Sequence, residues 1–391
     1  MEKTFFDQIH DRKNTVSMKW DTHGSQNIPL DAYPLWVADM DFQTLPKITE
    51  ELQSYVSSGI YGYSFESQAY FESIVNWLKR RHMYEIDKSW ILTTPGVVSA
   101  INAAILAFTH EQDVILIQEP VYYPFKRSIL FNKRSVVSND LILKEGHYSI
   151  DFNDFESKIR DHQVKLFVLC NPHNPVGRVF NEKELNQMVD ICQKYDVLIV
   201  SDEVHMDFVY APYQHVVLAQ LRKDYADHII TLVAASKTFN LAAMKVSQAI
   251  ASNPKHIEGM RQVYQSIGLY HHNTMGLKAT EIAYTYGDDY VDTLVNYLKT
   301  NIEYLDRELK DNFSKIKLIE AQSLYIVWLD FRELHITQTE LKNKLLNKAK
   351  LWLNDGSMFG SGGEGFMRLN LALPLSELKK VTKQLIEAFK D

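Results

Sequence analysis

The sequence predicts an α/β fold: a large domain with a mostly parallel sheet between helices, followed by a smaller α+β domain. Three observations carry that prediction. Strand-like runs recur at residues 114–117, 166–169, 197–200, 229–233 and 246–251, most of them continuously apolar. Stretches of helical period lie between several of them. Near-continuous apolar strands alternating with helices indicate strands buried on both faces. The last third of the chain then changes pattern to long helices flanking two short strand-like runs.

Each element follows from local chemistry. Residues 182–195 show helical periodicity, and Asn181 stands where an N-cap is wanted. The segment Leu92-Thr-Thr-Pro-Gly-Val-Val-Ser-Ala100 reads as a glycine turn opening into a helix, which leaves backbone N–H groups free to hold an anion. Residues 290–313 read as a long amphipathic helix. Strand-like runs follow at 324–329 and 366–372, and a helix at 375–389 closes the pattern. The expected division is an N-terminal segment, 1–45, joining the small domain, a large domain over 46–285 and a small domain over 286–391.

Composition excludes several classes. A formal net charge of −7 argues against a nucleic-acid or anionic-membrane partner, which would demand clustered Lys and Arg. No run reaches the roughly 18 apolar residues of a membrane span. The start, MEKTFFDQIHDRKN, lacks the apolar core of a signal peptide, so a cytoplasmic location is expected. The two cysteines, Cys170 and Cys192, sit in apolar contexts and read as reduced core residues. His205 and the pair His271-His272 have no partner at zinc spacing, so no metal is expected. Gly360-Ser-Gly-Gly-Glu-Gly365 follows no strand and opens no helix, and so reads as a loop, not a nucleotide fingerprint.

The chemistry collects at the ends of the predicted strands. Asn174 follows one, Asp202 and His205 another, and Ser236-Lys237 a third; Glu119 and Tyr122 follow the run at 114–117. Ligands of such sheets bind beyond the carboxyl ends of the strands. A lysine amine titrates near pH 10.4 in water and is a poor nucleophile at neutral pH; burial or a neighbouring cation lowers that value enough for it to condense with a carbonyl. A phosphorylated pyridine aldehyde accounts for the rest. A helix N-terminus and a cation would hold the phosphate, a carboxylate the pyridine nitrogen, and an aromatic ring the face. That cofactor is pyridoxal 5′-phosphate, PLP.

The segments TPGVVSA, NPHNPVGR, SDEVH, SKTFN and MRLNLA resemble the core motifs of PLP-dependent fold-type I enzymes, the class I/II aminotransferase superfamily, with its seven-stranded-type sheet. Trp36-Val-Ala-Asp-Met-Asp-Phe42 and Ile60-Tyr-Gly-Tyr-Ser64, with the histidine of SDEVH, resemble the MalY/PatB branch, the cystathionine β-lyases and related C–S lyases. The likeness runs from about residue 30 to about residue 375. It implies Lys237 as the lysine that binds the cofactor aldehyde and Asp202 as the partner of the pyridine nitrogen, with Glu203 the adjacent competitor. It implies Asn174 beside the ring oxygen, with Asn171 as structural competitor, and His205 near the same oxygen. Tyr122 is the stacking ring, with Tyr123 as the alternative. The amides of Val97 and Val98, with Ser236 and Lys245, are expected at the phosphate.

Two departures stand out. Lys245 replaces a usual arginine, giving up its fork for a point charge, and Ala234 replaces a usual serine. The resemblance further implies that Tyr63, or else Tyr61, crosses a homodimer interface to the partner's phosphate. Arg368 would clamp the substrate α-carboxylate, beside Ala38 and Asn174. Tyr33, Trp36, Phe42 and Tyr122 could make the pocket apolar, although such aromatics are more often core. The implied activity is α,β-elimination on L-cystathionine or other S-substituted L-cysteines to a thiol, pyruvate and ammonia. An aminotransferase of aromatic or aliphatic amino acids is the alternative. A PLP-binding regulator without turnover is disfavoured by the intact Lys237 and by a WVADMDF motif that begins at residue 36.

Overall fold

The computed structural model describes residues 1–390. Seven strands form the central sheet: β1 (Ile91–Thr94), β2 (Val114–Ile117), β3 (Ser135–Ser138), β4 (Leu166–Cys170), β5 (Leu198–Asp202), β6 (Ile229–Val233) and β7 (Ser247–Ile250). Their spatial order is β1-β7-β6-β5-β4-β2-β3. The pairs β2–β3, β2–β4, β4–β5 and β5–β6 are parallel, whereas β7 is antiparallel to both neighbours. Six strands therefore run one way and β7 runs back. The residues of β4 and β6 are all buried, as helices on both faces of a parallel sheet require.

Reversal of β7 has a local consequence. The chain leaves β6 at Val233 on the carboxyl edge of the sheet, turns through Ser236 and Lys237, and enters β7 at that same edge. Lys245 precedes β7 by two residues and thus arrives at the edge where β4, β5 and β6 end. The strand-like run at 246–251 predicted the strand; nothing in it predicted the direction.

Helices follow the sequence signals closely. We label α1 Gln68–His82, α2 Val97–Phe108, α3 Glu182–Lys194, α4 Ala235–Thr238, α5 Asp288–Asn312 and α6 Leu375–Lys390. Asn181 and Glu184 form a complete capping box on α3, worth roughly 1 kcal/mol. Gly96, at φ 125°, caps α2; few side-chain-bearing residues adopt that backbone.

A second, antiparallel sheet contains β8 (Lys317–Leu318), β9 (Ile326–Asp330), β10 (Asn354–Asp355) and β11 (Phe366–Asn370), in the order β8-β9-β11-β10. Two large apolar clusters meet along α5: Tyr290, Leu294 and Leu298 pack with the central-sheet core, while Leu305 and Leu309 pack with β9, β11 and α6. The N-terminal segment touches both. Tyr33–Pro34 pairs in parallel with Leu351–Trp352, and Leu35 joins the smaller cluster. Phe6, Met40 and Phe42 lie in the larger one.

Candidate active site

The carboxyl edges of β4, β5 and β6, the N-terminus of α2 and the segment around Ala38 enclose a cavity of about 330 Å³. Ala38, Val97, Val98, Tyr122, Asn174, Asp202, His205, Ser236, Lys237 and Lys245 all line it. A larger cavity, about 420 Å³, lies between the hairpin at 142–149 and α5 and gathers none of these residues.

Lys237 sits in α4, one turn past β6. Its Nζ donates to the Ala38 carbonyl at 2.9 Å, and the Tyr325 hydroxyl donates to that same oxygen at 2.9 Å. Burial, then the Arg368 charge, pulls the Lys237 amine down to about 8. Asp202 ends β5. Burial pushes its carboxyl up to about 7, and the Val204 amide donates to Oδ1 at 3.2 Å. His205 is buried, its Nδ1 has no partner among the described residues, and burial holds its ring far below the usual imidazole range.

Competing residues separate cleanly. Glu203 turns away from the cavity to His215 Nε2 at 2.7 Å and Ser201 Oγ at 2.7 Å. Asn171 donates to the Val216 carbonyl and does not line the cavity, whereas Asn174 does. Tyr122 lines the cavity and Tyr123 lies beyond it. Of the four aromatics, Tyr122 alone contributes a wall. Tyr33 packs on Trp20, Trp36 stacks on Trp352, and Phe42 packs on Phe6.

Arg368, central in β11, is buried, and that burial lowers its guanidinium to about 10. Nη1 donates to Asn174 Oδ1 at 3.1 Å and Nη2 to the Trp36 carbonyl at 2.9 Å. Tyr63 is not brought to the cavity within one chain; it is 95% exposed, beside His271. Tyr61 is also exposed, its hydroxyl donating to the Val56 carbonyl.

Sequence reasoning missed the layer beneath the site. Thr238, next to Lys237, donates to Asp207 Oδ2 at 2.6 Å, and His82 Nε2 meets Asp207 Oδ1 at 2.7 Å. The Glu203–His215 pair stands alongside, with the His82 and His215 rings 5.9 Å apart. Asp207 follows SDEVH by two residues, but no sequence signal tied it to a histidine 125 positions away. Also unforeseen was the density of bonds on the 36–42 segment: Asn370 Nδ2 holds the carbonyls of Val37 and Asp39, and Asn240 Nδ2 those of Met40 and Phe42.

The donor set fits PLP. A buried carboxylate with a single donor among the described residues suits a protonated pyridine nitrogen. The first-turn amides of α2, open at Gly96, suit a phosphate, and a depressed lysine amine suits an aldehyde.

Fold and site together define a PLP-dependent enzyme of fold type I. The chain belongs to the aminotransferase class I and II family, whose model matches residues 34–385, and to its carbon–sulfur lyase branch. It is 37% identical over 374 residues to cystathionine β-lyase PatB of Bacillus subtilis, covering 96% of this chain and 97% of that protein. It is 30% identical over 392 residues to protein MalY of Escherichia coli, covering 98% of each. The crystal structure of cystalysin from Treponema denticola, which contains PLP, superposes with a TM-score of 0.95 at 35% identity over 99% of this chain and 98% of that one.

Proposed function

We propose that this enzyme cleaves L-cystathionine or other S-substituted L-cysteines by α,β-elimination. L-cystathionine and water would give L-homocysteine, pyruvate and ammonia. The observation that carries the reading is the near full-length match to cystathionine β-lyase PatB, on a site whose cavity is lined by Lys237 and Asp202, with the buried Arg368 behind the wall, bonded to the cavity-lining Asn174.

Bound PLP supplies electron withdrawal at the substrate Cα. Lys237 is the group assigned to remove the Cα proton; an amine titrating near 8 keeps a neutral fraction at neutral pH. Arg368 holds the α-carboxylate with its fork of N–H donors, assisted by Asn174 and the Ala38 backbone. Asp202 keeps the pyridine nitrogen protonated, His205 and Asn174 stand at the ring oxygen, and Tyr122 covers the ring face. Val97, Val98, Ser236 and Lys245 hold the phosphate. The exposed Tyr63 is assigned to a homodimer, in which the partner's Tyr63 completes that phosphate site.

Lys245 tests the phosphate assignment. Lys245 is exposed yet lines the cavity and brings a point charge to it, so Lys245→Ala is expected to weaken PLP retention by about tenfold. In the loaded enzyme the variant leaves kcat within about twofold. Equilibrium dialysis against PLP reads the first effect; unchanged retention returns Lys245 to the surface.

The reaction itself is tested by incubating PLP-loaded protein with L-cystathionine and following pyruvate and free thiol, with and without 2-oxoglutarate. Pyruvate and homocysteine released without any keto acid are expected. Absence of pyruvate, together with glutamate formed from another amino acid only when 2-oxoglutarate is present, would make the enzyme an aminotransferase.

A further inference from the structure

The glycine-rich loop at 360–365 and the acid at position 119 are left without a role by the chemistry above, and the structure joins them. Glu119 follows β2 across the central sheet's edge and is 5% exposed. Its Oε2 accepts the Ser361 amide at 3.0 Å, and its Oε1 accepts Lys126 Nζ at 2.9 Å. Gly360 lies flush against it at φ 98°: a Cβ placed there would stand 2.2 Å from the Glu119 carboxyl carbon. Two residues on, the Val121 amide donates to the Phe359 carbonyl at 2.9 Å. The loop before β11 is therefore fastened to the end of β2 at two adjacent points.

Phe359 is the link to the site. Its ring is buried, packed against Tyr123 and Trp328, and the Arg368 guanidinium carbon lies 5.0 Å from its centroid. Arg368 thus rests on an aromatic face whose position is set by the turn that Glu119 holds. Glu119 does not line the active-site cavity, and its backbone is held elsewhere: its amide donates to Ser138 Oγ at 3.1 Å, and its carbonyl accepts the Leu141 amide at 2.8 Å.

We propose that Glu119 is a positioning residue for substrate recognition: by holding the Ser361 amide against Gly360 it seats Phe359 beneath Arg368 and so fixes the α-carboxylate clamp. The inference rests on the proposed role of Arg368. It places a determinant of carboxylate affinity on the contact between the β10–β11 loop and the end of β2, outside the cavity wall. Lys126 is a rim partner, 45% exposed in its side chain, and contributes little.

The test uses PLP-loaded enzyme and two ligands that cannot undergo elimination, L-alanine and ethylamine, titrated by the change in the cofactor's visible absorption. The two differ in the carboxylate. Glu119→Gln is expected to weaken L-alanine about tenfold and to leave ethylamine unchanged. Gly360→Ala displaces the same turn from the other side and is expected to give the same split, which keeps the test open should the first variant not fold. Lys126→Met is expected to stay within about twofold on both ligands. Equal weakening of both ligands, or of neither, overturns the proposal. Arg368→Ala separates the two levels: if it too leaves the L-alanine-to-ethylamine ratio untouched, the clamp reading fails, whereas a changed ratio there with an unchanged ratio in Glu119→Gln rejects Glu119 alone. None of these outcomes depends on whether L-cystathionine is the substrate.

Discussion

Lys237→Ala is expected to lower pyruvate release from L-cystathionine by at least about three orders of magnitude and to remove the visible band of the lysine-bound cofactor. Two losses combine. The amine that receives the cofactor aldehyde is gone, and so is the base nearest the substrate Cα. No other amine takes over: Lys245 stands at the far end of the same turn, two residues before β7, and Arg368 stays protonated even at a pKa of about 10. The substitution does not threaten the fold. Among the described residues the Lys237 amine makes one hydrogen bond, to the Ala38 carbonyl, and Tyr325 continues to hold that oxygen. Neighbouring Thr238 remains tied to Asp207 and Phe239 remains in the core. Steady-state turnover within tenfold of the parent enzyme, on protein that retains its far-ultraviolet spectrum, would remove Lys237 from the chemistry.

How much of this could be read from the chain depends on where each residue is buried. Strands β2, β4, β5 and β6 lie inside a covered sheet, so their sequences are mostly apolar runs, and each was legible to within two residues at either end. Strand β3 was not. It forms an edge of the sheet, and its SVVS sequence is flanked by serines that no periodicity rule favours. Strand β1 hid inside the TTPG motif, where the glycine turn drew the eye. The residues gathered around the cavity were legible because most of them follow strands on one edge, which the parallel arrangement forces together. Side-chain partners across long separations were not. Asp207 with His82, Glu119 with Ser361 and Asn370 with the 36–42 carbonyls are each set by packing, and nothing in a single sequence records them. The aromatics show the same limit: Trp36 and Tyr122 look alike as pocket candidates, yet one stacks on Trp352 and the other lines the cavity.

Asp202→Asn is expected to cut kcat by roughly three orders of magnitude while leaving the fold intact. Asparagine has the shape of the carboxylate but cannot hold a proton on a pyridine nitrogen, so electron withdrawal from the substrate is lost where it is needed. A charge-for-amide change at this site also has a signature without cofactor. In the PLP-free protein, burial raises the Asp202 carboxyl from 3.8 to about 7, with the Val204 amide opposing the shift. Between those two values the folded state binds more protons at this position than the unfolded state does. Stability therefore falls as pH rises through that window. The lysine acts in the opposite sense: its amine is depressed from 10.5 to about 8, so the unfolded state binds more protons from about pH 8 to 10.5, and stability rises there. The asparagine variant lacks the first slope and keeps the second. Thermal unfolding of PLP-free wild-type and Asp202→Asn protein from pH 4.5 to 7 measures it: the variant is expected to gain on the wild type steadily across the range. Parallel curves would mean that Asp202 is not a buried carboxylate awaiting a cation. The assignment of the pyridine nitrogen would then pass to another group in the cavity.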